Sequence, residues 1–301
     1  MTEDKTIPIA RLSEFVSSGQ ELALGGAWLS NHPMAAVRQL LRDRVDDLRV
    51  ISTLASIEAE ILIAGGAVRG LTFSMMSLEA YGLAPSFRRA AETGAIDLRE
   101  LSGVAMNVAF EAGARRLPYL PMRDLGGSEI PTLNEDFYRE IECPYTGERL
   151  LAVRAFEPEV AIVHATRADP QGNAQVDAPL SNDAEIARAA RTVIVTCEEL
   201  VDPQVIATNP SSTHIPGFLV DAVIEVPFGA HPTSHIPRYV TDGWNFVEYV
   251  DAYAAGEGSA EVSRLREESE DDYRERVAGP ERRVILGSLA TGAPALDLAP
   301  Q

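Results

Sequence analysis

Residues 22–54 read LALGGAWLSNHPMAAVRQLLRDRVDDLRVISTL. Leu22–Gly26 is a brief apolar run that closes on paired glycines, the pattern of a strand entering a tight turn. After Asn31, His32 and Pro33, the segment Met34–Arg42 carries Met34, Val37, Leu40 and Leu41 at the spacing of one helical face. Pro33 suits a first helical position. Leu48–Leu54 is again apolar and β-branched. Strand, glycine turn, helix and strand in succession is the unit from which parallel sheets are built.

The same rhythm extends outward. The spacing predicts helices over Glu58–Ala64, Ser86–Thr93 (closed by Gly94), Val104–Ala114 and Ala184–Ala190. It predicts strands over Arg69–Ser74, Ile96–Leu101, Ala152–Phe156, Val160–Ala165, Thr192–Glu198 and Ala222–Val226, about eight with the first two. The expected fold is therefore α/β, a mostly parallel open sheet with helices on both faces. Between them, LPYLPMRDLGGSEIPTLNEDF (117–137) is too rich in Pro and Gly for an element interior and reads as a long functional loop. From Asn245 the chain turns helical and charged. The expected division is one α/β domain over 1–255 and an acidic helical appendage with a fraying tail over 256–301.

Composition narrows the function. With 301 residues and 46% hydrophobic content the chain can bury a full core. A net charge of -19 argues against a nucleic-acid surface, which needs clustered Lys and Arg. Cys143 and Cys197 are too few for a disulfide framework and lack zinc spacing, so a reducing compartment is expected. MTEDKTIPIARLSEFV has no secretory pattern, and no apolar run reaches the roughly 18 residues that span a bilayer, so a cytoplasmic protein is expected. P-loop, GxGxxG, GxSxG and HExxH motifs are missing. Of the five histidines, only His231 and His235 are spaced like a helical ligand pair. Pro232 interrupts them, so no metal site is expected.

In open α/β sheets the ligand crevice lies at the carboxyl ends of the strands. Four loops there are candidates. Gly25 and Gly26, followed by Trp28, permit close backbone approach to a ligand or simply make a tight turn. RDLGGS, with Arg123, Gly126, Gly127 and Ser128, suits a carboxylate or thioester oxygen, or is a surface turn. ADPQGNA, with Asn173, is a candidate binding loop or a structural turn. PFGAHPTS carries His231, either a donor to an anion or a hydrogen-bonded structural residue. Glu100, ending the strand IDLRE, is the candidate catalytic carboxylate, with a solvated strand end as the competing account.

Taken together, GGAWLSNHPMAAVRQLL, GAIDLRE, LPYLPMRDLGGSEIP, ADPQGNA and VPFGAHPTS, in this order, resemble the α subunit of class I CoA-transferases of the glutaconate type, over about residues 8–250. The last three motifs are the most specific. Two-subunit hydrolases that open the last ring of a steroid as a CoA thioester are similar in the same segments. The resemblance implies an α subunit that lines one side of a cleft, with a β-type partner supplying the nucleophilic glutamate. Acyl-CoA and a carboxylic acid are then the substrates, with no cofactor beyond coenzyme A as substrate. In the hydrolases the position of Glu100 matches a carboxylate placed to act as base; in the transferases it could simply shape the acyl pocket. WLSNHP departs from the small glycine-rich sequence of many transferases, leaving the acyl group open, and Trp28 either walls the cleft or packs in the core or an interface. A metabolite-binding regulator on the same sheet is the alternative of a different class.

Overall fold

The computed structural model describes residues 4–123, 126–178, 181–277 and 279–291. Its main sheet comprises β1 (Glu21–Leu24), β2 (Leu48–Ile51), β3 (Val68–Phe73), β4 (Asp97–Glu100), β5 (Val160–Ala165), β6 (Thr192–Cys197) and β7 (Ala222–Glu225). The spatial order is β7-β6-β5-β1-β2-β3-β4, with every pairing parallel. The chain first builds outward from β1 to β4. It then returns to lay β5 against the other side of β1, with Leu22 opposite Val160, and builds outward again to β7.

Burial on both faces explains the near-continuous apolar strands. Leu22, Leu24, Val160, Ile162 and Ile194 point to one core, which includes α1 (Met34–Arg42) and α2 (Ile57–Ala64). Ala23, Ala161, Val163, Val193 and Val195 alternate with them and point to a second core. That core includes α4 (Gly103–Ala114) and α5 (Asp183–Ala189). Between α2 and α4, α3 (Pro85–Thr93) begins on Pro85 and stops at Gly94, whose φ of 65° is the left-handed conformation glycine adopts without strain. Helices therefore cover both faces, as the alternation predicts.

Two regions differ from the sequence reading. Residues 117–137 do not form one irregular loop: Tyr119–Arg123 is a strand, antiparallel to Arg149–Arg154, which also pairs with Tyr138–Glu142. Tyr119–Arg123 is an edge strand, and this is where Pro121 is tolerated. The strand expected over Ala152–Phe156 is part of this small sheet rather than of the main one. The second difference concerns the charged segment beyond residue 255. After α6 (Gly243–Ala254) it forms α7 (Gly258–Glu267), α8 (Glu270–Val277) and α9 (Pro280–Thr291), and Leu265, Tyr273, Val277 and Leu286 join the first core. The segment covers the outer side of α1, which is why Arg38 is buried although α1 reads as amphipathic. Arg38 Nε donates to Glu270 Oε2 at 3.0 Å, Nη2 pairs with Glu270 Oε1, and the guanidinium stacks 3.7 Å over Tyr273.

Candidate functional site

A cleft of about 880 Å³ opens at the carboxyl ends of β1 and β2. It lies beside the point between β1 and β5 where the strand order reverses, the place at which open α/β sheets bind ligands. Ala27 and Trp28 follow β1, and Thr53 and Leu54 follow β2. The other walls are α4, through Gly103, Asn107 and Glu111, and α5, through Glu185 and Arg188. Gly103, Asn107 and Glu111 succeed one another at four-residue spacing and so share one helical face. Glu111 and Glu185 are not free: they pair with Arg115 at 2.6 Å and Arg188 at 3.2 Å. Thr53 Oγ1 accepts from Asn182 Nδ2 at 3.0 Å, which leaves its own hydroxyl proton for a ligand oxygen.

The turn after β1 is held tightly. Gly26 has φ of 88°, and its N–H donates at 2.7 Å to Oδ1 of the buried Asp183, the first residue of α5. A side chain at Gly25 would stand 2.2 Å from the same Asp183 oxygen. Burial pushes the Asp183 carboxyl above its ordinary range, only partly offset by the Gly26 N–H. Ala27 and Ser30 then exchange backbone hydrogen bonds of 2.9 and 3.0 Å, closing a two-residue turn with Trp28 at its tip. Trp28 has φ of 54° and is 51% exposed. Its carbonyl accepts from His32 Nε2 at 2.9 Å, and the same imidazole nitrogen lies 3.4 Å from the fully buried Glu58.

The residues singled out from sequence are dispersed. Gly25, Gly26 and Trp28 are at the cleft. Glu100 ends β4 at the sheet edge, exposed and outside the cleft lining, one turn ahead of α4. Arg123 pairs with Glu148 at 3.2 Å, and Gly126, Gly127 and Ser128 are exposed beyond the small sheet. Ser128 Oγ accepts from the Ile130 N–H at 3.2 Å, while Asp124 and Leu125 of that motif lie outside the described residues. Asn173 donates to Asp169 at 2.8 Å and accepts from the Gly217 N–H at 2.9 Å, so its amide ties the turn to its neighbour. His231 corrects the expectation of an anion donor. It is fully buried, with Nδ1 on Tyr273 Oη and Nε2 on Asp242, each at 2.9 Å, and its carbonyl accepts from Arg38. Burial pulls it down to about 4 despite Asp242, so it is a neutral structural link.

One buried network escaped the sequence reading. Glu198, just after β6, accepts from the Phe228 and Gly229 N–H groups at 2.8 and 3.1 Å and from Tyr239 Oη at 2.5 Å. Its Oε1 also lies 2.9 Å from His164 Nε2. Burial opposes ionisation of Glu198, but these partners outweigh it and hold the carboxyl down to about 2. His235 lies against His164 and bonds Asn31 Oδ1 at 2.5 Å and Thr166 Oγ1 at 3.0 Å. The network fastens the loop after β7 to β5, β6 and the turn that carries Trp28. Its signal was a histidine in the otherwise apolar VAIVHA and a glutamate closing TVIVTC.

No group of His, Cys, Asp and Glu suited to a metal occurs among the described residues, and no helix there is long and apolar enough to cross a membrane. One of the two subunits of glutaconate CoA-transferase from Acidaminococcus fermentans is 32% identical over 247 residues, 77% of this chain and 77% of its own. The crystal structure of glutaconate coenzyme A-transferase from that organism matches with a TM-score of 0.84 at 27% identity, covering 94% of this chain and 95% of that one. The cholesterol ring-cleaving hydrolase IpdA subunit of Rhodococcus jostii is 32% identical over 286 residues, 91% of this chain and 96% of its own. An uncharacterized protein of Archaeoglobus fulgidus is 34% identical over 286 residues, 93% of this chain, which spans 64% of that longer protein. Residues 5–226 match the family model of coenzyme A transferase, so the chain belongs to the coenzyme A transferase family.

Proposed function

We propose that this chain is the α subunit of a two-subunit CoA-transferase that moves CoA between an acyl-CoA and a carboxylic acid, with the nucleophilic glutamate on a β-type partner. The observation that carries this reading is the match to glutaconate CoA-transferase across nearly the whole of both chains. The cleft agrees with it, since its two carboxylates are engaged by arginines and leave no free carboxylate nucleophile on its walls among the described residues. In the proposed reaction the partner carboxylate attacks the thioester carbonyl, giving an acyl anhydride and CoA thiolate. The thiolate then attacks the glutamyl carbonyl of the anhydride, which releases the first carboxylate and leaves a glutamyl-CoA thioester. The second acid reverses both steps. Here Thr53, Asn107 and Asn182 are the candidate hydrogen-bonding groups for acyl oxygens, and Gly25 and Gly26 bring backbone close to the acyl group. Arg123, Gly126, Gly127 and Ser128 are proposed to contribute from the partner-facing rim, not from the cleft floor.

Hydrolysis or ring opening of a CoA thioester is the second reading. Similarity to the IpdA subunit, of the same identity as to the transferase and over more of the chain, favours it. It would use Glu100 as base.

One reconstitution tests both. The chain, co-expressed with a β-type subunit, is assayed for CoA exchange and CoA release over a panel of acyl-CoAs. The transferase reading expects exchange by the complex, none by the single chain, and a hydroxylamine-trappable glutamyl-CoA on the partner. Robust transfer by the purified single chain would overturn it. Under the hydrolase reading Glu100→Gln lowers turnover by roughly 10²- to 10⁴-fold, the usual yield of a general base, whereas under transfer the loss is smaller. Full turnover in the Gln variant removes Glu100 from catalysis.

A further inference from the structure

The conformation of Trp28 is unusual in a way that the packing of the core does not require. Bulky residues rarely adopt positive φ, because Cβ then crowds the backbone, and such strain is retained where the surroundings over-determine it. At Trp28 they do. Its N–H donates to Leu54 O at 3.0 Å, the neighbours Ala27 and Ser30 close the turn, and His32, buried beside Glu58, holds its carbonyl. On the far side of the turn the Leu29 carbonyl accepts from the Ser234 N–H at 2.8 Å and from Thr241 Oγ1 at 3.1 Å. The Asn31 N–H donates to Ser234 O at 2.7 Å. A glycine or asparagine would satisfy this backbone with less strain. What tryptophan alone adds is a large flat apolar surface, half exposed, on the wall of the cleft beside Leu54 and Ala27.

We propose that Trp28 is a specificity-determining residue, a fixed platform on which the apolar body of the acyl group stacks. The inference rests on the reading of this cleft as an acyl-CoA site. The acyl groups it favours are those with a flat or cyclic apolar portion, which gain contact against the indole face that a short acyl chain cannot make. Opposite this platform the cleft presents Asn107, Asn182 and Thr53, so the preferred acyl group also carries a polar substituent away from its apolar face.

The test uses the complex reconstituted with the β-type subunit, with phenylacetyl-CoA and acetyl-CoA as probes. Trp28→Gly fits the left-handed backbone, so the variant is expected to fold with a melting temperature no lower than that of the parent. It should lower kcat/KM for phenylacetyl-CoA by about tenfold more than for acetyl-CoA, the scale on which apolar pocket contacts discriminate. An unchanged ratio of the two, or a variant whose defect is loss of partner binding alone, overturns the platform. Should the parent complex turn over neither thioester, the functional reading fails by itself, and Trp28 is tested by its emission. The chain has two tryptophans, so Trp244→Phe isolates Trp28. Phenylacetyl-CoA, but not free CoA, should shift the Trp28 emission maximum; no shift with either overturns the proposal.

Discussion

Burial decides which histidines can carry charge. His231 and His235 are pulled down to about 4 and about 3, in both cases chiefly by burial. An unfolded histidine titrates near 6.5, so between about pH 6.5 and 4 the unfolded chain binds protons that the folded chain refuses. Stability is therefore complete above about pH 6.5 and falls as pH drops, by up to about 1.4 kcal/mol per pH unit for each histidine. Glu198 works in the same direction further down: its stabilisation is present above about pH 4.5 and is lost as pH falls toward 2. The midpoint of urea unfolding should be flat from pH 7 to 8 and decline steeply between 6.5 and 5, the range given by these shifts. A midpoint constant down to pH 5 would show that these imidazoles are not buried in neutral form.

Among the elements, α4 is the one on which the cleft and the second core both depend. Its Gly113 meets the chain after the small sheet so closely that an added Cβ would stand 1.9 Å from Phe156 O and 3.0 Å from Ala189 Cβ. Gly113→Ala raises intrinsic helix propensity by about 1 kcal/mol, yet overpacking against backbone should outweigh it, for a net loss of about 1–3 kcal/mol. Thermal unfolding of the variant measures the balance, and a gain in stability would mean that α4 can move freely. Each of the seven main-sheet strands was legible in the sequence, because strands buried on both faces leave runs such as VAIVHA and TVIVTC. Tyr119–Arg123 was not, because Pro118 and Pro121 mark a loop in sequence while an edge strand accommodates them. The cleft was legible at Gly25, Gly26 and Trp28, where glycines and an indole follow a strand. Its α4 and α5 walls were not, since Asn107, Asn182 and Arg188 belong to helices and a helix start whose mutual approach no local pattern encodes.

At the scale of the whole molecule, the charged segment beyond residue 255 looked dispensable from composition, and its packing shows why charge content misleads. Glu270 neutralises Arg38 and also accepts from Arg42 at 3.1 Å, in a setting closed to water by Tyr273 and Leu265. Glu270→Ala leaves Arg38 buried without its partner and should cost about 3–5 kcal/mol. Truncation after residue 255 removes Tyr273 as well and should yield an aggregating or unfolded chain. A soluble, cooperatively melting 1–255 fragment would restore the view of an independent appendage.

The return of the chain to β1 also sets a temporal order. β1 has one neighbour close in sequence, β2, and another, β5, whose pairing joins Leu22 to Val160. The last strand is sealed in turn by the opening segment, where the Ile7 N–H donates to Val223 O at 2.9 Å and the Val223 N–H donates to Lys5 O at 2.9 Å. While the chain is being synthesised, β1 therefore waits with one edge bare until β5 emerges. The residues around Lys5, made long before β7, reach their final partner only once Val223 has left the ribosome. Closing contacts of such long sequence separation makes folding slow, and leaves the growing chain dependent on protection of that bare edge in the meantime.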